Sequence, residues 1–78
     1  MRVEVLMPKW GMTMLEGILV KWLVSAGDRV AEGESLAIVE TEKVDADVPS
    51  PSAGTVVNLI PQEGASVAVG SVIAYIEQ

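Results

Sequence analysis

The sequence predicts an all-β domain, a sandwich or flattened barrel built from two four-stranded units related by a pseudo-twofold axis. Three observations predict it. Valine and isoleucine number 18 against six leucines, which favours strands. Seven glycines and four prolines supply the breaks between them. The third observation is a repeat: residues 16–40, EGILVKWLVSAGDRVAEGESLAIVE, align without a gap on residues 53–77, AGTVVNLIPQEGASVAVGSVIAYIE. Eight positions are identical at the constant spacing of 37: Gly17/Gly54, Val20/Val57, Gly27/Gly64, Val30/Val67, Ala31/Ala68, Gly33/Gly70, Ala37/Ala74 and Glu40/Glu77.

Each unit opens on a further match. Val3 to Pro8 aligns with Val44 to Pro49 at a spacing of 41, after which the first unit carries four additional residues. Val-x-Val-x-x-Pro reads as a strand that ends where proline cannot donate to the ladder. Trp22, matched by Leu59, reads as a core or half-buried strand residue. Gly27 and Gly64, and again Gly33 and Gly70, mark reversals where positive φ costs glycine least. A unit this small cannot bury an apolar face alone, so two copies packed face to face give each its partner. The whole chain, residues 1–78, is one domain, and at this length it hides only about 60% of its unfolded surface.

Composition excludes most chemistry. The chain has neither cysteine nor histidine, hence no disulfide framework, zinc knuckle, thiol nucleophile or imidazole base. A net charge of −6 with five scattered cations argues against nucleic acid. The apolar stretches are too short and broken for a membrane span, and the opening residues lack a signal-peptide core. We expect a soluble, monomeric domain of the cytoplasm or, second, of the mitochondrial matrix, with no metal site and no catalytic residues of its own.

The two units meet at Thr41-Glu42-Lys43. If Glu42-Lys43 is a two-residue hairpin loop, Thr41 pairs with Val44, Val39 with Ala46 and Ala37 with Val48 on the inward face. The outward face then opposes Glu40 to Asp45, a like-charge pair costing up to about 1 kcal/mol. Glu-Lys is also not the Asn-Gly or Asp-Gly chemistry that such loops favour. Local rules fail where function overrides them, so the junction is the candidate site. Pseudo-symmetry adds geometry: the chain ends belong at one pole and Lys43 at the other.

The residues at this junction resemble those of lipoyl domains. Glu40-Thr41-Glu42-Lys43-Val44, Val48-Pro49-Ser50-Pro51 and Gly54-Thr55-Val56 are similar to the family's E-T-D-K-A, V-P-S-P and G-x-V pattern. Met7-Pro8-Lys9-Trp10-Gly11-Met12-Thr13-Met14-Leu15-Glu16-Gly17 is similar to the M-P-x-x-G-x-T-M-x-E-G opening found in acyltransferase (E2) components of pyruvate and acetoin dehydrogenase complexes. Glu42 stands for the commoner aspartate and Val44 for the commoner alanine, which keeps the turn's charge and apolar character.

The resemblance implies two four-stranded antiparallel sheets in a barrel-sandwich hybrid, with lipoic acid in amide linkage on Lys43 at an exposed turn flanked by Thr41, Glu42 and Val44. It implies attachment by a lipoate ligase, or by an octanoyltransferase and lipoyl synthase. It also implies traffic with the decarboxylase (E1), the E2 core and the dihydrolipoamide dehydrogenase (E3). Glu40 and Asp45, in an acidic patch with Glu42 and Asp47, and Trp10, Met12 and Met14 in the loop after Lys9, are candidate recognition residues; the three apolar ones fit equally as filler for the barrel end. Three other readings share the scaffold, one of them the glycine-cleavage carrier, which is a longer chain with different flanks around its lysine. A biotinyl carrier would show Met-Lys-Met where Glu42 and Val44 flank the lysine, and an unmodified structural barrel would have no use for the full lysine turn.

Overall fold

A computed structural model describes residues 1–9, 15–42 and 45–78. Eight strands follow in order: β1 Arg2–Leu6, β2 Glu16–Trp22, β3 Arg29–Val30, β4 Ser35–Glu40, β5 Asp45–Pro49, β6 Gly54–Val57, β7 Ser66–Ala68 and β8 Val72–Glu77. Among the described residues there is no helix. Every pairing is antiparallel. One sheet runs β1-β8-β6-β3 and the other β5-β4-β2-β7. The two sheets stay separate, so the architecture is a sandwich and not a closed barrel.

Exchanging β1–β4 for β5–β8 turns one strand order into the other, which is the pseudo-twofold expected from the repeat. The units are not packed face to face, however. Each contributes the two central strands of one sheet and the two edge strands of the other: β8 and β6 lie between β1 and β3, and β4 and β2 between β5 and β7. Hydrogen bonding explains the interleaving. A unit folded on itself would leave its central strands as open edges, whereas exchange satisfies their N–H and C=O groups from the other unit. The turns do the same reciprocally. Gly27 N–H donates to Val56 O at 2.7 Å, and Gly64 N–H donates to Leu19 O at 2.6 Å.

A second correction concerns the start of the units. Arg2, Val3, Glu4 and Val5 pair with Glu77, Ile76, Tyr75 and Ala74, while Asp45, Ala46, Asp47 and Val48 pair with Glu40, Val39, Ile38 and Ala37. Arg2 is thus equivalent to Asp45, a spacing of 43 in place of 41. Both ladders also break at the same place, between Val5 and Leu6 and between Ser35 and Ala37. Met7 and Ser50, each exchanging a backbone pair with the turn around Gly70 or Gly33, are equivalent too. Since the spacing falls from 43 to 37, the first unit carries six additional residues, not four. Side chains alternate with period two, so a two-residue slip leaves every apolar residue on its face and the sequence pattern cannot detect it.

The core lies between the sheets and is drawn from both units, with Val5, Leu19, Leu36 and Val39 meeting Val48, Val56, Ile73 and Ile76. Each is 0 to 2% exposed, a burial that stabilises by about 1.5–3 kcal/mol per side chain. Trp22 and Leu59 are half-buried against this core, as equivalent residues. Trp22 also ties the units together, its Nε1–H donating to Pro61 O at 3.0 Å and its backbone N–H to Glu63 Oε2 at 2.9 Å.

The turn glycines and the strand glycine work differently. Gly27 and Gly64 have φ of 97° and 90°, and an added Cβ would meet nothing within 4 Å. Gly54 is a close approach, where a Cβ would stand 2.5 Å from Glu77 O and 2.7 Å from Ile76 Cγ2. We therefore expect Gly27→Val and Gly64→Val each to lose about 1–3 kcal/mol through backbone strain alone. Gly54→Ala should lose more than Gly27→Ala by prising β6 from β8. Urea unfolding of the variants checks this, and wild-type midpoints would contradict it.

Candidate functional site

The β4–β5 hairpin is in the register read from the sequence. Ala37 pairs with Val48, Val39 with Ala46 and Glu40 with Asp45. Ala37, Val39 and Val48 are buried and Ala46 half-buried, so this face does point inward. Glu40 and Asp45 stand opposite one another on the exposed face. Thr41 is half-buried and Glu42 exposed. Lys43 and Val44 lie outside the described residues, as does the expected Thr41–Val44 pair. Trp10, Met12 and Met14 lie outside them as well, between Lys9 and Leu15.

The ladder nevertheless fixes where the junction stands. Glu40 and Asp45 close the described part of the hairpin, and two residues, Thr41 and Glu42, follow Glu40. The other end of β5 is joined through residues 50–53 to Gly54, which starts β6 beside Glu77. Glu77 pairs with Arg2, and Gln78 N–H donates to Met1 O at 2.9 Å. The chain ends are thus side by side, and the length of β5, ~17 Å for five residues, separates their pole from that of Glu40 and Asp45. The expected polarity of the domain holds for the described flanks of the junction.

Charge is unevenly spread over these poles. Glu40, Glu42, Asp45 and Asp47 are all exposed around the hairpin. Asp47 has a local partner, accepting from Ser35 Oγ at 2.9 Å across the ladder irregularity. At the opposite pole Arg2 pairs with Glu77 at 3.1 Å and stacks 5.4 Å from the Tyr75 ring centroid, and Arg29 occupies the far edge of the same row. The sequence reading missed Ser35, Arg2 and Tyr75. The linear pattern does not mark these contacts: Glu77 and Tyr75 come to Arg2 through the pairing of the first strand with the last, and Asp47 reaches Ser35 only across the ladder irregularity.

Among the described residues, the sandwich sets the β4–β5 hairpin at the pole opposite its two chain ends. The chain belongs to the Biotin_lipoyl family, described as biotin-requiring enzyme, whose model matches residues 3–76.

Among curated relatives, it is 48% identical over 62 residues to the dihydrolipoyllysine-residue acetyltransferase component of the pyruvate dehydrogenase complex of Acholeplasma laidlawii, covering 80% of this chain and 11% of that protein. It is 42% identical over 74 residues to the lipoamide acyltransferase component of the branched-chain alpha-keto acid dehydrogenase complex of Bacillus subtilis, covering 95% of this chain and 18% of that protein. The chain therefore spans less than a fifth of the length of these relatives. In fold it matches the solution structure of the lipoyl domain of the 2-oxoglutarate dehydrogenase complex from Azotobacter vinelandii, with a TM-score of 0.78 at 21% identity over 97% of this chain and 96% of that one.

The exposed Glu40–Asp45 pair makes a stability prediction. Replacing Asp45 by Thr should raise stability by up to about 1 kcal/mol at low ionic strength, since it removes a like-charge cross-strand contact. The gain should shrink at ~1 M salt, where the screening length is ~3 Å. Thermal unfolding at the two salt concentrations measures it, and a loss of stability at low salt would contradict the pairing's assigned cost.

Proposed function

We propose that this domain is a lipoyl carrier, with a lipoyl group in amide linkage on Lys43, working in a 2-oxo acid dehydrogenase type complex. The observation that carries this reading is the hairpin register. It brings Glu40 and Asp45 together at the pole away from the chain ends, with only the sequence Thr-Glu-Lys-Val connecting them. The relatives support the same reading, since the acyltransferase components to which this chain is similar carry dihydrolipoyllysine or lipoamide in their names.

The residues present fit the group. The flanks Glu42 and Asp45 are exposed, and the buried side chains of Val39 and Val48 anchor the strands that support the turn. When attached, the arm supplies a dithiolane that can be reductively acylated. The protein's part is to keep the attachment point in the open on a rigid base, to show a recognisable acidic surface, and to stay tethered by its far pole. A short tether raises the local concentration of the carried group at each site it visits.

In this scheme a lipoate ligase, or an octanoyltransferase with lipoyl synthase, modifies Lys43. The decarboxylase E1 then loads the arm, the E2 core takes the acyl group, and E3 restores the disulfide. The domain contributes no catalytic side chain. Glu40, Asp45 and the Trp10, Met12, Met14 loop are where we place partner recognition, and we place the protein in the cytoplasm.

Lys43→Arg should fold as the wild type does, because it exchanges one long cationic side chain for another, yet accept no lipoyl group, because a guanidinium does not replace the acylated ε-amine. Intact mass after incubation with lipoate ligase reads this. Modification of Lys9 or Lys21 in its place would refute the assignment.

The choice of lipoate over biotin is expected to rest on the flanks of the lysine. Glu42→Met combined with Val44→Met should slow lipoylation and create a measurable biotin adduct with biotin ligase, since specificity includes rejection of the wrong enzyme. Undiminished lipoylation with no biotin adduct would move recognition elsewhere.

A further inference from the structure

The outer faces of the two sheets differ. In the β1-β8-β6-β3 sheet Leu6 is 46% and Ile60 55% exposed. Val5 and Met7, on either side of Leu6, are buried, so Leu6 points away from the core, and its partner in the ladder is the half-buried Val72. Ile60 joins them from beyond the end of β6, its backbone N–H donating to Ile73 O at 2.9 Å. Tyr75, also half-buried, continues this face along β8 between Glu4 and Val57. Leu6, Val72, Ile60 and Tyr75 thus form an apolar area across β1, β8 and the extension of β6. Its charged rim is Glu4 beside Tyr75 and, two residues nearer the chain ends, the Arg2–Glu77 pair.

Pseudo-symmetry shows what folding requires at these positions. In the other sheet Pro49, Ser35 and Ile38 stand where Leu6, Val72 and Tyr75 stand here, and Asp47 stands for Glu4. Ser35 Oγ donates to Asp47 at 2.9 Å, so a polar pair satisfies the strands at that place. Leu23, the equivalent of Ile60, is apolar and 44% exposed as well, but polar Ser35 takes the place of the valine beside it. The fold therefore does not require leucine, valine and tyrosine on this outer face.

We infer that this face is a docking surface for a short amphipathic helix of another protein, one that carries a lysine or arginine over Glu4. The docking is independent of the lysine turn. Size and charge decide against a second copy: four side chains fall far short of the ~20–30 residues a side of a stable interface, and a net charge of −6 repels an identical chain. The place in the sheet selects a helix. Backbone groups on a sheet face are already paired within the ladder, so an extended segment laid there would leave its own N–H and C=O groups without partners, whereas a helix satisfies them internally. Dimensions agree, since two strand spacings put Leu6 and Ile60 ~10 Å apart and two helical turns rise ~11 Å. Tyr75, with Arg2 5.4 Å from its ring centroid, supplies the aromatic and guanidinium groups in which interfaces are enriched. Glu4, exposed at the rim, fixes the sign of the partner's charge.

The test is a nuclear magnetic resonance titration of the isotopically labelled 78-residue chain with a synthetic helical peptide. The probe has roughly 14 residues of leucine, alanine and lysine, with its leucines on one helical face, and is compared with a scrambled peptide of the same composition. Docking predicts saturable shift changes centred on Leu6, Ile60, Val72 and Tyr75 with the first peptide only. Leu6→Thr, and independently Ile60→Thr, should each weaken binding about tenfold while keeping the spectrum of a folded domain. Glu4→Gln should weaken it severalfold, and Leu23→Thr on the other sheet should leave it unchanged. Shift changes centred on Glu40, Asp45 and Asp47, equal binding of the scrambled peptide, or no saturation by ~1 mM peptide would overturn the docking. Shifts at Leu6 and Ile60 that depend on protein concentration without peptide would assign the face to a second copy and overturn it too.

Discussion

The structure depends on the exchange of strands between two units that cannot fold alone. Each unit has four short strands, two of which are central in one sheet while the other two guard the edges of the opposite sheet. Backbone hydrogen bonding enforces this, because a buried ladder with an open side is costly. From it follow a single shared core, the adjacency of Arg2 and Glu77, and the placement of the β4–β5 hairpin at the opposite pole.

Much of this was legible in the sequence, and the reasons are specific. The spacing of 37 survives because the second half of each unit meets equivalent turns, with Gly27 and Gly64 at φ of 97° and 90°. The register of β4 and β5 was readable because one-residue errors would have turned Val39 and Val48 outward. The same argument explains the failure at β1. A slip of two residues is invisible to the apolar pattern, and Val48-Pro49-Ser50-Pro51 offers two prolines against the one at Pro8; the ladder selects Pro51. Interleaving itself was not legible, since packing face to face and exchanging strands bury the same residues.

The acidic character of the turn was visible, but its apolar neighbour was not. Ile18 reads as an ordinary strand residue until the ladder sets it beside Glu40 and its equivalent proves to be Thr55. Departures from internal symmetry are informative here because the repeat serves as its own control. Where both units keep a residue, folding explains it; where they differ, as at Ile18 and Thr55, the fold alone does not require the choice. The six additional residues after Pro8 break the symmetry at the sequence level in the same way.

The central claim is that one lysine of this chain carries a lipoyl group, on the turn between the two units. The most direct measurement is peptide mass spectrometry of the protein as it is recovered from the cells that make it, without added ligase. The account predicts lipoyllysine at position 43, with Lys9 and Lys21 unmodified. Biotin at Lys43, or a lipoyl group on either of the other lysines, would contradict it.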